Sequence, residues 1–258
     1  MYTKLYNPDK GQMQVAGLIS GSGSNLIKII EYELQLNQRE TKSPYHVAVI
    51  FTDNAASNAV QIASKYNLPV IVRDITSFYK AKNVPRRNMD VRAEYDTETV
   101  KALSPYNIEI AAFAGYMSIA TASLIDAFLG INVHPADLSI MSGEKRKYTG
   151  DNAVKAAILA GERELRSTTH IIESKVDYGR ILMISSPITV ELPKNFDTNR
   201  DEMLIATVTE NQSRLKKAAD WIIFPKTLEF LAEGRFAEDD QRDLYLDNNP
   251  IPQGLRLQ

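Results

Sequence analysis

The chain has 258 residues, of which 44% are hydrophobic and 24% charged, and its formal net charge is −2. This composition suits a globular protein with a sizeable core, and the charge balance gives no sign of a nucleic-acid or membrane-surface partner. Because the chain contains no cysteine, a disulfide framework, a thiolate nucleophile and cysteine-ligated zinc are excluded. The polar N-terminus and the lack of a long apolar run favour a cytoplasmic protein without a membrane segment.

The first half of the chain alternates short apolar runs with amphipathic segments. The predicted elements are strands at 14–20, 46–51, 69–72, 108–114 and one ending at 131–134, helices at 26–34, 57–66 and 91–103, and an irregular polar connection at 73–90. Strands that are apolar throughout are typical of a parallel sheet covered on both faces. We therefore predict an α/β fold with a mostly parallel, doubly wound, Rossmann-like sheet and helices on both faces.

The pattern changes after residue 134. The remaining predicted elements are a polar loop at 137–150 with a basic cluster at 145–147, a helix at 152–159, a hairpin of strands at 167–174 and 181–190, a mostly helical region at 196–230 and an irregular stretch at 239–258. The hairpin is expected to extend the sheet. We predict one domain over residues 1–236, followed by a C-terminal tail over 237–258.

A segment rich in glycine and serine joins the first predicted strand to the first helix. Its residues are Ser20, Gly21, Ser22, Gly23, Ser24 and Asn25. Unpaired N–H groups at a helix N-terminus favour a bound anion such as a phosphate, and glycines allow the backbone to approach it closely. The segment matches neither GxGxxG nor the P-loop motif. On its own, a tight turn between strand and helix is an equal alternative.

Asn132 and His134 lie two residues apart at the end of a predicted strand, so their side chains project from the same face. Pro135 ends the strand and leaves both at its carboxyl end, where open parallel sheets bind ligands. An amide beside an imidazole can stabilise an oxyanion and move a proton. A structural role for the histidine is the alternative. With three histidines and no cysteine in the chain, no metal site is expected.

Asp177 lies two residues before Gly179, in a turn between two apolar runs. An aspartate at such a position usually serves the turn itself. Only a partner side chain would give it a catalytic role, and the spacing does not supply that partner.

Five motifs in this chain together resemble a known family. They are ISGSGSNL at 19–26, AGYM at 114–117, NVHP at 132–135, TTH and VDYG within 168–179, and IFPKTLEFLAEGRF at 223–236. In this order they resemble the folate-dependent formyltransferase superfamily, and within it the glycinamide ribonucleotide formyltransferases. The similarity extends from about Val15 to Phe236. The combination of Asn-x-His-Pro with a downstream Asp-x-Gly makes the resemblance specific.

The resemblance implies transfer of a formyl group from 10-formyltetrahydrofolate to an amine, with glycinamide ribonucleotide of purine biosynthesis as the first expectation and no metal. The implied catalytic residues are Asn132, His134 and Asp177, with His134 protonated while it and Asn132 stabilise an oxyanion. The implied contacts to the amine substrate are Ser20 to Asn25, Lys217 and Asp220. The implied contacts to the folate are Arg92, Tyr116, Met117, Ser118, Ile119 and His170.

Several positions depart from the family pattern. They are a longer loop after Pro135 without a Leu-Leu-Pro signature, a missing histidine near Asn152, Ser118 for an arginine, Tyr178 for a glycine, Asp220 for a glutamate and Trp221 for a histidine. The chemistry is therefore better supported than the identity of the amine.

Three alternatives to the glycinamide ribonucleotide enzyme are left open. They are a formyltransferase acting on an amino sugar or a peptide amine, a formyltetrahydrofolate hydrolase and a non-enzymatic nucleotide sensor. The hydrolase is disfavoured because hydrolases of this type carry an additional N-terminal domain, whereas the first predicted strand here begins at Gln14. The oligomeric state stays open, with a homodimer as one alternative.

Overall fold

A computed structural model describes residues 2–258, and its centre is an eight-stranded sheet. In chain order the strands are β1 Met13–Ile19, β2 Tyr45–Thr52, β3 Val70–Val72, β4 Ile110–Phe113, β5 Leu129–His134, β6 Thr168–Ile171, β7 Ile181–Ile184 and β8 Leu255–Arg256. Their order across the sheet is β8-β7-β6-β5-β4-β1-β2-β3. Strand β6 runs antiparallel to β5 and β7, and the other neighbouring pairs are parallel. The predicted α/β fold with a mostly parallel sheet is confirmed.

Helices cover both faces of this sheet. In chain order they are α1 Ser24–Leu36, α2 Ala59–Tyr66, α3 Ile75–Ala81, α4 Met89–Leu103, α5 Ala122–Ile125, α6 Ala153–Leu159, α7 Asp201–Leu215 and α8 Trp221–Ala232, with 3-10 turns at Pro8–Lys10 and Ser104–Tyr106. A π-helical turn, Lys216–Asp220, joins α7 to α8. Helices α1, α2 and α8 pack on one face, and α3, α4 and α5 pack on the other.

Strand β1 shows why the central strands are apolar throughout. Val15 and Ile19 belong to the core beneath α1, α2 and α8, whereas Ala16 and Leu18 belong to the core on the opposite face. Successive residues of a strand point to opposite faces, so a strand that is covered twice needs apolar residues at every position. Gly17 lies on the α1 side, where a Cβ would come within 2.3 Å of the Leu26 side chain. Its lack of a side chain lets α1 pack closely on β1.

The prediction of an irregular tail over 239–258 was wrong. Strands Thr3–Lys4, Phe236–Glu238, Leu244–Leu246 and Asn249–Pro250 form a separate four-stranded sheet, and β8 adds to the edge of the main sheet. These strands are two or three residues long, which is too short for periodicity or length to indicate them, and the pairs of Thr3–Lys4 and of β8 also span long sequence distances. The boundary between domain and tail at residue 236 stays a prediction.

The connections also contain more structure than predicted. The stretch 73–90, expected to be irregular, contains α3, whose N-terminus is capped because the Asp74 side chain accepts from the Ser77 N–H. The 137–150 loop contains a short hairpin, Met141–Ser142 with Lys145–Arg146, and Glu164–Leu165 pairs with Ile188–Thr189. Among residues 2–258, no helix is long and apolar enough to cross a membrane.

Candidate active site

A cavity of about 600 Å³ opens at the carboxyl edge of the sheet. Strands β1, β4 and β5 lie side by side there, and the chain order reverses between β1 and β4. The cavity is lined by residues that follow these strands and by parts of the later loops and of α7, namely Asn25, Phe113, 115–120, 132–135, Gly150, Asp151, His170, 172–174, Val176, Asp177, Gln212, Lys216 and Asp220. Asn25 and His134 thus face one cavity.

Asn132 is held by a histidine on the neighbouring strand. Antiparallel pairing of β5 with β6 sets Asn132 opposite His170, and the amide nitrogen of Asn132 lies 3.2 Å from Nε2 of His170. The Nδ1 atom of His170 lies 2.9 Å from the carbonyl oxygen of Ile171 and donates to it. Nε2 of the neutral ring is therefore an acceptor, and the Asn132 amide donates to it.

The carboxylate of Asp177 lies close to two histidines, a proximity that its position in a turn did not predict. Its Oδ2 lies 3.5 Å from Nδ1 of His134, and its Oδ1 lies 3.7 Å from Nε2 of His170. The backbone N–H of Gly150 donates to Oδ2 over 2.7 Å. Asp177 adopts a left-handed backbone conformation with φ of 57°, which is uncommon for a residue with a side chain. The turn aims its carboxylate between the two histidines.

His134 has an acceptor at each ring nitrogen. Nε2 donates to the carbonyl oxygen of Tyr148 over 2.9 Å, and Nδ1 faces Asp177. Burial lowers the pKa of His134, and the charge of Asp177 only partly offsets that effect. The lowered pKa favours the neutral ring in the resting protein, in contrast to the protonated ring expected from the resemblance.

The Ser20–Asn25 segment brings one side chain, that of Asn25, into the cavity lining. Ser20 is occupied within the protein, because its hydroxyl donates to Asp53 over 2.6 Å and accepts from the Met117 N–H over 2.9 Å. Gly23 precedes α1 in a left-handed conformation, and no side chain caps the helix. The first N–H groups of α1 are consequently available to an anion.

The 116–119 stretch forms one wall of the cavity. Met117 and Ile119 are well exposed there, whereas Tyr116 is buried. Ser118 donates a hydrogen bond to Asp53, which also binds Ser20. This carboxylate therefore ties the 116–119 wall to the segment after β1.

Arg92, which the resemblance implied as a folate contact, does not reach the cavity. It is buried behind the 116–119 wall and forms an ion pair with Asp96 over 2.7 Å. Its Nε donates to the carbonyl of Ile119 over 2.6 Å, and a terminal nitrogen donates to the Tyr116 hydroxyl over 3.1 Å. Arg92 supports the wall from the protein side and does not line the cavity.

Lys217 lies outside the cavity, contrary to the expectation that it shares a face with Asp220. The π-helical turn has a longer period than an α-helix, so Lys216 takes that position, and Lys217 is exposed to solvent. Gln212, Lys216 and Asp220, four residues apart, line the same wall. A single π turn leaves no clear sequence signal. Two carboxylates of the cavity lining, Asp151 and Glu173, were not predicted from the sequence, because they lie in loops and belong to no motif.

Asp220 ends this wall, and its carboxyl group is buried. Burial raises the pKa of Asp220, and Ser167, Asn25 and Lys216 only partly counter the effect. Its Oδ1 and the Oδ1 of Asn25 are both buried without a hydrogen-bond partner in the protein. Buried polar atoms are rarely unpaired. Other atoms of Asn25 and Asp220 line this end of the cavity together with Lys216, so that it presents polar groups to a ligand.

The sequence matches a family described as formyl transferase over residues 13–196. It is 26% identical over 242 residues to phosphoribosylglycinamide formyltransferase of Haemophilus influenzae, which covers 93% of this chain and 96% of that protein. It is 27% identical over 235 residues to the human trifunctional purine biosynthetic protein adenosine-3, covering 90% of this chain. The chain spans 20% of the human protein's length and 14% of that of its Chironomus tentans counterpart.

Solved structures show the same fold. Phosphoribosylglycinamide formyltransferase from Coxiella burnetii superposes with a TM-score of 0.71 at 20% identity, covering 96% of this chain and all of that one. The enzyme of the same name from Anaplasma phagocytophilum gives a TM-score of 0.69 at 22% identity over equal shares.

Proposed function

This chain belongs to the formyl transferase family, and on that premise we propose that it transfers a formyl group from 10-formyltetrahydrofolate to the amine of glycinamide ribonucleotide, a step of purine biosynthesis in the cytoplasm. The observation that carries the proposal is the convergence of Asn132, His134 and Asp177 on one cavity, with His134 and Asp177 3.5 Å apart.

The reaction requires an uncharged amine that attacks the formyl carbon. A carbon–nitrogen bond forms, and negative charge develops on the formyl oxygen of the tetrahedral species. The amide of Asn132 uses one hydrogen for His170, which leaves the second to donate to that oxygen. A donor that is fixed before the reaction stabilises an oxyanion without reorganisation, and loss of one such donor typically lowers the rate by about 10²–10³.

His134 and Asp177 are placed to move the proton that the attacking amine releases. We propose that the neutral imidazole takes the proton released by the attacking amine and passes it, directly or through water, to the folate nitrogen as its bond to the formyl carbon breaks. The imidazolium formed in between has an acceptor at both nitrogens, the Tyr148 carbonyl and the Asp177 carboxylate. The Asp177 carboxylate therefore stabilises the imidazolium during the transfer, whereas burial favours the neutral ring before the reaction begins.

Two groups of lining residues suit two different ligands. Asn25, Lys216 and Asp220 line one part of the cavity, which suits an amine-bearing sugar with a nearby anion. The free N–H groups at the start of α1 support binding of its phosphate. Met117 and Ile119 present exposed apolar side chains in another part of the lining, which suits the ring system of a folate.

Binding measurements with matched variants test the assignment of the amine. Lys216→Met should raise the KM for glycinamide ribonucleotide by about 10-fold, because a cation beside an anionic ligand contributes about 1–2 kcal/mol. Lys217→Met is the control, since that neighbouring lysine is exposed and lies outside the cavity. The dephosphorylated riboside should bind more weakly than the ribonucleotide to the wild-type protein. Equal affinity for both would place the natural amine elsewhere, and a panel of amino sugars and peptide amines would then follow.

A further inference from the structure

The 137–150 loop contacts both members of the His134–Asp177 pair. The carbonyl of Tyr148 accepts from His134, and the N–H of Gly150 donates to Asp177. The hairpin inside this loop, Met141–Ser142 with Lys145–Arg146, ends just before these two contacts. The loop is therefore part of what shapes the site and is more than a connection between β5 and α6.

One side chain of the hairpin reaches the turn that carries Asp177. Arg146 donates from a terminal nitrogen to the backbone carbonyl of Asp177 over 2.6 Å, and its guanidinium lies 5.6 Å from the centre of the Tyr178 ring. The Arg146 side chain is partly buried, whereas the adjacent Lys145 is exposed. Arg146 does not line the cavity, so its contacts are with the catalytic turn and not with a ligand.

We propose that Arg146 is a positioning residue for formyl transfer, which holds the Asp177 turn so that the carboxylate faces His134. The inference rests on the function proposed above. Arg146 belongs to the longer loop after Pro135, and it contacts Asp177 and Tyr178 of the turn.

The backbone of Asp177 explains why the turn needs a restraint. A left-handed conformation costs a residue with a side chain about 1–2 kcal/mol, so the turn relaxes unless its neighbours hold it. A hydrogen bond from a guanidinium to the Asp177 carbonyl fixes the following peptide plane, and stacking on Tyr178 restrains the guanidinium in turn. Displacement of a catalytic group by about 1 Å can lower a rate by about 10²-fold.

Arg146 also acts on His134 through its charge. The groups that affect the pKa of His134 are Asp177 and Asp151, which raise it, the Tyr148 carbonyl, which also raises it, and Arg146, which lowers it together with burial, the largest effect. His170, which faces the same carboxylate, is affected by the charges of His134 and Arg146. Removal of the Arg146 charge alone is therefore expected to raise the pKa of His134, whereas displacement of Asp177, whose effect is larger, is expected to lower it.

The test compares Arg146→Met, Arg146→Lys and the control Lys145→Met. Arg146→Met should lower kcat about 10- to 100-fold while the KM values of both substrates stay within about 3-fold, since the residue does not touch the cavity. Arg146→Lys should lower kcat by a smaller factor, because a lysine keeps the charge without the planar fork. Lys145→Met should behave as the wild type. Wild-type kcat in Arg146→Met, or raised KM values with unchanged kcat, would overturn the proposal.

An NMR titration supplies a readout that does not depend on turnover. The chain has three histidines, so their ring signals can be assigned with His46→Gln and His170→Gln variants. If Arg146 holds the Asp177 carboxylate beside His134, Arg146→Met should lower the pKa of His134, because the larger effect of Asp177 is lost, and Arg146→Lys should lower it less. A raised or unchanged pKa in Arg146→Met would mean that Asp177 keeps its position without Arg146 and would overturn the inference. If the wild-type protein transfers no formyl group, the proposed function fails, while the titration still decides whether Arg146 acts on His134. If Arg146→Met does not fold, full kcat in Arg146→Lys overturns the positioning role.

Discussion

The amide nitrogen of Asn132 lies 3.2 Å from Nε2 of His170, directly across the antiparallel pair β5–β6. His170 donates from Nδ1 to the Ile171 carbonyl, so its Nε2 accepts and fixes the direction in which the Asn132 amide points. The resemblance implied a folate contact for His170. The geometry supports a second role for His170, because the neutral ring orients the Asn132 amide, which we propose as the oxyanion donor.

His134→Ala and Asp177→Ala should each lower formyl transfer by about 10²–10⁴-fold, because each removes a group that stabilises charge or moves a proton in the transition state. The free energy of unfolding should change by only about 1–2 kcal/mol, the usual range for a single substitution. Steady-state rates and urea unfolding measure the two effects separately. Full activity in either variant, or loss of the fold, would show that the residue is not catalytic.

His170 should make the stability of the protein depend on pH. Burial lowers the pKa of His170 to about 4, although the Ile171 carbonyl and Asp177 act in the opposite direction. The unfolded chain takes up a proton below about pH 6.5, whereas the folded chain does so only near pH 4. This contribution to stability is therefore complete above pH 6.5 and falls by about 1.4 kcal/mol per pH unit between these values.

Urea unfolding at pH 7, 6 and 5 measures this dependence. His134 contributes to the pH dependence of stability in the same direction, because burial lowers the pKa of His134 as well. The variant His170→Gln should therefore retain part of the dependence and show a shallower slope than the wild type. Identical slopes would mean that His170 titrates as an ordinary histidine.

Arg256 in the last strand connects the tail to the loop that follows His134. Its terminal nitrogens bind Oδ2 of Asp137 and Oγ of Ser139, each over 2.8 Å. Burial alone would raise the pKa of Asp137, but hydrogen bonds from Arg256 and Ser139 outweigh it and lower the pKa. Arg256→Met should lower the free energy of unfolding by about 1–3 kcal/mol, because it leaves a buried carboxylate without its main donor.

A double-mutant cycle checks this ion pair. The combined variant Arg256→Met with Asp137→Asn should be less destabilised than the sum of the two single variants, since no charge is left unpaired. Strict additivity in urea unfolding would mean that the two side chains do not interact in solution.

Gly179 is needed for the close approach of the catalytic turn to β6. A Cβ at this position would come within 1.7 Å of the Ile171 carbonyl oxygen, which belongs to backbone and cannot move aside easily. Gly179→Ala should lower stability by about 2 kcal/mol or more and reduce kcat by displacing Asp177. Gly143→Ala is the control, because a Cβ there meets nothing within 4 Å and costs only the strain of a positive φ, about 1–2 kcal/mol. Equal effects of the two substitutions on stability would refute the steric explanation.

The parts of the fold that the sequence predicted are those with long or strongly apolar elements. The central strands could be predicted because burial on both faces requires continuous apolar runs, as in β1. The last strand, β8, could not, because its pairing with β7 depends on contacts between residues more than 70 positions apart. Short strands of this kind are determined by their partners and have no local signal.

The residues of the candidate site also differ in whether the local sequence could predict them. Asn132 and His134 could be predicted from their position before Pro135 at a strand end. The role of Asp177 depended on the resemblance, because its partners lie on β5 and β6. Lys217 was expected in the cavity from the resemblance, but the chain forms a π turn there and Lys216 takes its place. Arg146 gave no signal beyond being part of a basic cluster, since its contact with Asp177 spans 31 positions.

The most direct measurement is a mass balance of the transfer reaction with purified protein, 10-formyltetrahydrofolate and glycinamide ribonucleotide. Tetrahydrofolate is followed by absorbance, and the formylated ribonucleotide and free formate by mass spectrometry. We predict that tetrahydrofolate and formylated ribonucleotide appear in equal amounts, and that His134→Ala loses both products together. Release of tetrahydrofolate with free formate and no formylated amine would identify a hydrolase, and no release of tetrahydrofolate with any amine would contradict the assignment of the active site.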